Sequence, residues 1–308
     1  MSKIHFIMNS IKEFRLVRNT INRLRLKRIS NSNISDKEYL IKYGRMRLHY
    51  TMDLDNPKTF NEKINWYKLN YCNDLMRKVV DKIEAKEYIK FKGLDEILIK
   101  TIKTYNNVNE ISIDELPAKF VVKNTMDSGG VFVCKNKNDI CLKDLKQKIK
   151  KVSNFINGKQ KNREPVYFEN KNRIIVEELI ETNDNHSPAD YKFFCFNGVP
   201  KFLFVGTERD TEVKFDFFDI DFNWLNVRQG HKNNKNRPVK PKNYEKMLDI
   251  CKILSADFPH VRVDLYNIDG EIYFGELTFY HFAGLTPFRP NKWDKIFGDM
   301  WDLSNIKE

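Results

Sequence analysis

Short apolar runs dominate the chain after residue 117. They fall at residues 120–123, 131–134, 173–177, 191–196, 201–205 and 213–218, and they are rich in Val, Ile and Phe. Runs of that length and composition predict strands. Residues 142–155 and 244–254 instead carry apolar positions at helical spacing. Before residue 117 helices prevail. Residues 56–63, NPKTFNEK, read as a turn into a helix running on to Trp66 and Leu69, and Asp81 is placed to cap a helix over 83–88. No internal repeat or low-complexity tract interrupts this order.

The last apolar pair is residues 261–280, VRVDLYNIDGEIYFGELTFY, where two runs flank Ile268-Asp269-Gly270 and each carries one acid, Asp264 or Glu276. Loop length decides where the acids point. A two-residue Asp269-Gly270 turn opposes Asp264 to Gly275 and sends Glu276 to the other face. A three-residue loop with Gly270 left-handed opposes Arg262 to Glu276 and Asp264 to Phe274. That register gathers Arg262, Asp264, Glu276 and Thr278 on one face. Val261, Val263, Leu265, Gly275, Leu277 and Phe279 form a clean core face opposite, so the three-residue loop is expected. The acids then become diagonal neighbours, roughly 7–8 Å apart. Two such carboxylates suit magnesium, which takes carboxylate oxygens together with substrate phosphates. On pattern alone they suit better a simple ion pair between Arg262 and Glu276 beside an exposed acid, and further residues are needed to favour the metal.

Composition narrows the classes. With 308 residues, 41% hydrophobic and 13% aromatic, the chain is long enough to bury a sizeable core and too apolar for a disordered one. A formal charge of +12 suits an acidic partner without choosing one. Residues 1–30 set Lys3, Lys12, Arg15, Arg18, Arg23, Arg25, Lys27 and Arg28 against Glu13 alone, with apolar residues at helical spacing. Such a helix either lies on an anionic membrane surface or packs with its basic face solvated. Five cysteines without a CxxC pair read as reduced core thiols of a cytosolic chain. No signal peptide or spanning segment is expected.

Upstream of the hairpin, three further groups carry chemistry. Residues 120–123 end in Lys123, and Asp127-Ser128-Gly129-Gly130 follows before the next strand. A glycine loop between strands lays N–H groups over phosphates or simply turns; it is not the P-loop motif. Residues 174–180, IIVEELI, form a buried strand ending in Glu177 and Glu178. Lys, glycine loop, Glu-Glu strand, basic strand, then Asp and Glu on a hairpin: this order resembles the ATP-grasp superfamily. More closely, residues 56–63, 193–198 (FFCFNG) and 274–280 (FGELTFY) resemble the TupA-like ATP-grasp proteins of polysaccharide and teichuronopeptide biosynthesis. The resemblance covers most of the chain after about residue 40.

The resemblance implies an α+β architecture, an ATP-grasp fold of two α+β subdomains gripping ATP. The expected divisions are a basic amphipathic helix at 1–35, a mostly helical region at 36–115, a lid subdomain at 116–182, and a C-terminal subdomain at 183–308. It also implies roles. Lys82 and Lys123 hold ATP phosphates, and the loop of Ser128, Gly129 and Gly130 closes over them. Glu177 and Glu178 meet the adenine amine, the Ile180 N–H meets the ring, and Asp184 takes the ribose. Lys192, in Asp190-Tyr191-Lys192, stands where ligases of this superfamily often carry Arg, and Arg209 fills a later phosphate- or substrate-holding position. Arg262 adds charge at the reacting centre. Asp264, Glu276 and Thr278 bind magnesium, Thr278 standing where Asn is usual, as it does in the TupA-like pattern.

The implied reaction activates a carboxylate as an acylphosphate and passes it to an amine, releasing ADP and phosphate. Family context and net charge favour a uronic acid of a cell-surface polysaccharide. His260, His281, Tyr280 and Phe282 flank the metal face; they line an acceptor pocket or are ordinary hairpin-flanking residues, the second being the reading for His281. A kinase or sugar transferase acting on a glycan hydroxyl is the alternative. A basic membrane- or nucleic-acid-binding module ranks third, because no nucleic-acid motif is present and Asp216, Asp219 and Asp221 spoil the basic stretch around Lys214.

Overall fold

The computed structural model describes residues 33–126, 130–153, 162–168, 172–182, 186–304 and 306. The basic segment 1–30, Ser128, Gly129 and Asp184 lie outside the described residues. Among the described residues no helix is long and apolar enough to cross a membrane.

Four helices open the described chain: α1 (Asp36–Leu48), α2 (Phe60–Asn70), α3 (Asp74–Val79) and α4 (Lys82–Phe91). Local sequence sets their starts. Thr59 and Glu62 form a capping box on α2. Asp81 accepts from Ile83 N at 2.8 Å and Glu84 N at 3.3 Å, which fixes Lys82 as the first residue of α4.

A four-stranded antiparallel sheet follows, ordered β1 (Thr101–Tyr105), β4 (Ile174–Glu177), β2 (Phe120–Asn124), β3 (Val131–Cys134). Helix α5 (Leu142–Ser153) covers one face, burying Leu145 and Ile149 against Phe120, Val122 and Val176. Strand β1 joins this sheet from before residue 116, so the lid draws in chain from the stretch expected to be helical.

The second sheet has six antiparallel strands, ordered β10 (Glu271–Thr278), β9 (His260–Ile268), β5 (Asp190–Phe196), β6 (Val199–Thr207), β7 (Lys214–Asp219), β8 (Trp224–Leu225). One face packs on α6 (Tyr244–Ser255), where Met247, Ile250, Cys251 and Leu254 are buried with Val261, Val263 and Leu265. The other face is divided. Its aromatic half stacks Phe194 on Phe202 and Phe202 on Phe297 of α7 (Lys292–Asp299), with Phe60 of α2 edge-on. Its polar half carries Asp190, Lys192, Arg262, Asp264, Glu276 and Thr278.

The β9–β10 hairpin departs from the expected register. Asp269 (φ 53°) and Gly270 (φ 102°) make a two-residue turn, the conformation Asp-Gly favours. Glu271 therefore pairs with Ile268 and Phe274 with Leu265. A bulge at Gly275 then restores the faces, so Glu276 pairs directly with Asp264 and Thr278 with Arg262. Arg262, Asp264, Glu276 and Thr278 do share a face, but the bulge puts them there, and the two acids are opposed rather than diagonal.

Cys134, Cys195 and Cys251 are buried, whereas Cys72 is half-buried and Cys141 exposed, which corrects the expectation of core thiols throughout.

Candidate active site

Two adjoining spaces open where the sheets meet. The first is an apolar slot of about 120 Å³ walled by Val121, Val131, Val133, Leu179, Ile180 and Tyr266, with Glu178 at its edge. The second is a chamber of about 550 Å³ walled by Lys82, Asp190, Lys192, Arg262, Asp264, Glu276 and Thr278. Lys123 and Arg209 belong to both walls.

The charges of the chamber are arranged in pairs. Arg262 grips Asp264 through Nε–Oδ1 and Nη2–Oδ2, both 2.7 Å, and its Nη2 reaches Glu276 at 3.2 Å and Thr278 Oγ1 at 3.0 Å. Lys192 contacts Asp264 and lies 2.7 Å from Asp190, which also takes Arg209 at 2.7 Å. Lys82 Nζ stands 3.5 Å from Glu276. Burial pushes the Asp264 carboxyl above its ordinary value, with Arg262 and Lys192 opposing the rise. Burial would discharge Arg262, but Asp264 and Glu276 hold it charged, raised above the ordinary guanidinium value.

On the lid sheet Glu177 departs from its expected role. Its carboxylate is taken by Lys86 and by Lys123 at 2.7 Å, and it does not line the slot. Burial opposes its ionisation, but Lys123 and Lys86 together lower it below the usual carboxylate value. Glu178 and Ile180 do line the slot, Glu178 pairing with Lys100 at 2.9 Å. Lys86 was missed in the sequence, although it sits one helical turn after Lys82.

The far wall of the chamber is an unusual turn. Phe282 (φ 46°), Ala283 (φ 56°) and Gly284 (φ 58°) are left-handed in succession, a conformation that costs L-residues energy. From behind, Lys68 Nζ donates to Ala283 O at 2.6 Å and Asn65 Nδ2 to Gly284 O at 2.8 Å. A Cβ on Gly284 would come within 2.7 Å of Asn65 Nδ2 and 2.8 Å of Ile64 Cγ2, so only glycine fits. Tyr280, His281 and Phe282 line the chamber. His260 does not: it is buried beside Trp301 and Phe196, and burial pulls it down to about 3.

A family model for TupA-like ATP-grasp proteins matches residues 62–302, most of the chain. The chain belongs to the TupA-like ATP-grasp family. No curated protein matches it. Among solved structures, this TupA-like chain is similar to a D-alanine–D-alanine ligase from Bacillus anthracis complexed with ATP, at 14% identity over 66% of this chain and 54% of that one, TM-score 0.37. It is also similar to an N5-carboxyaminoimidazole synthase from Aspergillus clavatus in complex with ADP and its ribonucleotide, at 11% identity over 68% and 46%, TM-score 0.40. A D-cycloserine synthetase matches at 14% identity over 73% and 71%, TM-score 0.38. The chain spans about half the length of the first two.

Asp264, Glu276 and Thr278 set oxygen donors on one face of the chamber, the donor type that a hard divalent cation takes. Among the described residues no three His, Cys, Asp or Glu side chains cluster as ligands. Asp264 and Glu276, paired across the hairpin, offer two carboxylates on one face, with Thr278 Oγ1 3.3 Å from Glu276 Oε1. Magnesium accepts one or two carboxylates when phosphates and water complete its shell.

Proposed function

We propose that this chain is an ATP-dependent, ADP-forming carboxylate–amine ligase. The observation that carries the reading is the continuity of slot and chamber through Lys123 and Arg209. A purine in the apolar slot would meet Glu178 and the Ile180 backbone, and its phosphates would run out among Lys82, Lys123, Lys192 and Arg262. Ser128, Gly129 and Gly130 would cover those phosphates, and Asp184 would take the ribose.

Asp264, Glu276 and Thr278 would hold magnesium, which when bound supplies charge neutralisation and a Lewis acid. The chain's own cations do the rest. Lys192 and Arg262 present fixed positive charge where negative charge develops as the terminal phosphoryl passes to a carboxylate oxygen. No side-chain nucleophile is required. The resulting acylphosphate then yields an amide when an amine attacks. The volume of the chamber leaves room for a sugar-sized acid beside the phosphates. Family context and the +12 charge favour a uronic acid of a cell-surface polysaccharide joined to an amino acid or amine, with residues 1–30 as a contact to anionic membrane at its cytoplasmic face.

Calorimetric titration of ATP with and without magnesium, on wild type and Glu276→Gln, tests the reading. Magnesium-dependent binding weakened by the substitution is expected. Weak binding indifferent to both would overturn it. ADP release that needs both an acid and an amine separates a ligase from a kinase.

A further inference from the structure

His281 has no part in the reading above, yet it is 1% exposed and tied to the central arginine. Its Nδ1 lies 2.7 Å from Arg262 Nη1, and its Nε2 lies 2.9 Å from Gln229 Oε1. Gln229 Nε2 in turn donates to Thr286 O at 2.9 Å. The two ends of this chain force the direction of every bond in it. Thr286 O only accepts, so Gln229 turns its amine to Thr286 and its oxygen to His281. That oxygen only accepts, so His281 Nε2 carries the hydrogen. A guanidinium only donates, so His281 Nδ1 must be bare. The ring is thus a neutral acceptor, and burial beside Arg262 keeps it so.

Arg262 is held from both ends. Nε and Nη2 are spent on Asp264, Glu276 and Thr278, and Nη1 on His281. A guanidinium fixed by a carboxylate alone can still pivot about that fork. The second anchor removes the pivot, and the rings of Phe194 and Phe204, centred 4.9 and 5.5 Å from His281, brace the imidazole. Gln229 is buried and outside the chamber wall, and it reaches Arg262 through His281.

We infer that His281, oriented by Gln229, is a positioning residue that fixes the guanidinium plane of Arg262 for phosphoryl transfer. This rests on the ligase reading, and three isosteric substitutions probe it. Asparagine's Oδ1 stands nearest the Nδ1 position and glutamine's amide nitrogen nearest Nε2. His281→Asn therefore keeps an acceptor for Arg262, whereas His281→Gln keeps only the link to Gln229. Gln229→Leu removes the anchor on Nε2, so the ring is free to swing away from Arg262 Nη1.

Two measurements decide it, neither requiring the acceptor to be known. Calorimetry compares binding of Mg·ADP with Mg·ADP plus aluminium fluoride, which mimics the phosphoryl group in flight. Fluoride should tighten wild-type binding. His281→Gln and Gln229→Leu should lose about 10–100-fold of that gain with Mg·ADP affinity unchanged, the usual scale for outer-shell orienting residues, and His281→Asn should keep most of it. Nitrogen-15 NMR of histidine-labelled protein without nucleotide should find His281 neutral with the proton on Nε2. A proton on Nδ1, no tightening by fluoride in wild type, or equal tightening in all variants overturns the positioning role. If wild type binds no Mg·ADP or Mg·ATP at all, the ligase reading itself falls, a result the NMR signal does not mimic.

Discussion

Lys123 Nζ lies 2.7 Å from Glu177 Oε2 on the adjacent strand, and the second Glu177 oxygen is taken by Lys86. One buried carboxylate thus serves two lysines from different elements, tying α4 to the lid sheet. Glu177→Gln removes the carboxylate that two buried ammonium groups share. Breaking a buried pair this way costs about 3–5 kcal/mol. Urea denaturation should show a loss on that scale, and nucleotide titration should show weaker binding because Lys123 loses its anchor.

Gly275 carries the bulge. A Cβ there would stand 3.0 Å from Asp264 O, tighter than ordinary contact. Gly275→Val should cost about 1–3 kcal/mol by thermal unfolding, the scale of overpacking. It should also abolish the magnesium dependence of ATP binding, because Glu276 leaves its place opposite Asp264. Unchanged magnesium dependence would mean that the bulge does not set the face.

Lys68 gives the pH dependence. Burial holds its ammonium down to about 8, with Glu164 opposing. The unfolded chain keeps this proton up to the usual lysine value of about 10.4, whereas the folded chain releases it near 8. Between these values the unfolded state binds more protons, so stability rises with pH, by up to about 3 kcal/mol. Below 8 both states are protonated and the slope vanishes. Lys68→Met, compared with wild type by denaturation at pH 7.5 and about 10, should lose the rise.

Magnesium alone should leave the melting temperature unchanged, and ATP with magnesium should raise it, chelation reversing the gain. Asp264 is already neutralised by Arg262 and Lys192, so a bare cation would have to displace both. A polyanion carrying its own cation exchanges with both partners at once.

Much of this was legible in the sequence. Strands β5, β9 and β10 stand out because their alternate residues are apolar against α6, and Asp81 signals the start of α4. The face shared by Arg262, Asp264, Glu276 and Thr278 was legible too, though by the wrong route: a turn and a bulge shift register by one residue each, and periodicity sees only their sum. Strand β1, TIKTY, is an edge strand that sends only Ile102 and Tyr105 to the core, so no apolar run announces it. Gln229 belongs to no periodic element, and only the folded chain brings it to His281. Lys86 was visible in spacing, but its carboxylate partner lies ninety residues on.

The left-handed turn at Phe282–Gly284 takes its shape from behind. Asn65 and Lys68 on α2 grip its carbonyls, and Gly284 seats it on Ile64. Contour and chemistry of that wall are therefore written in different parts of the chain: the helix fixes the path of the backbone, and the Phe282 side chain, 36% exposed, supplies its surface. Exchange of residue 282 would therefore alter the surface of that wall without rebuilding its backbone.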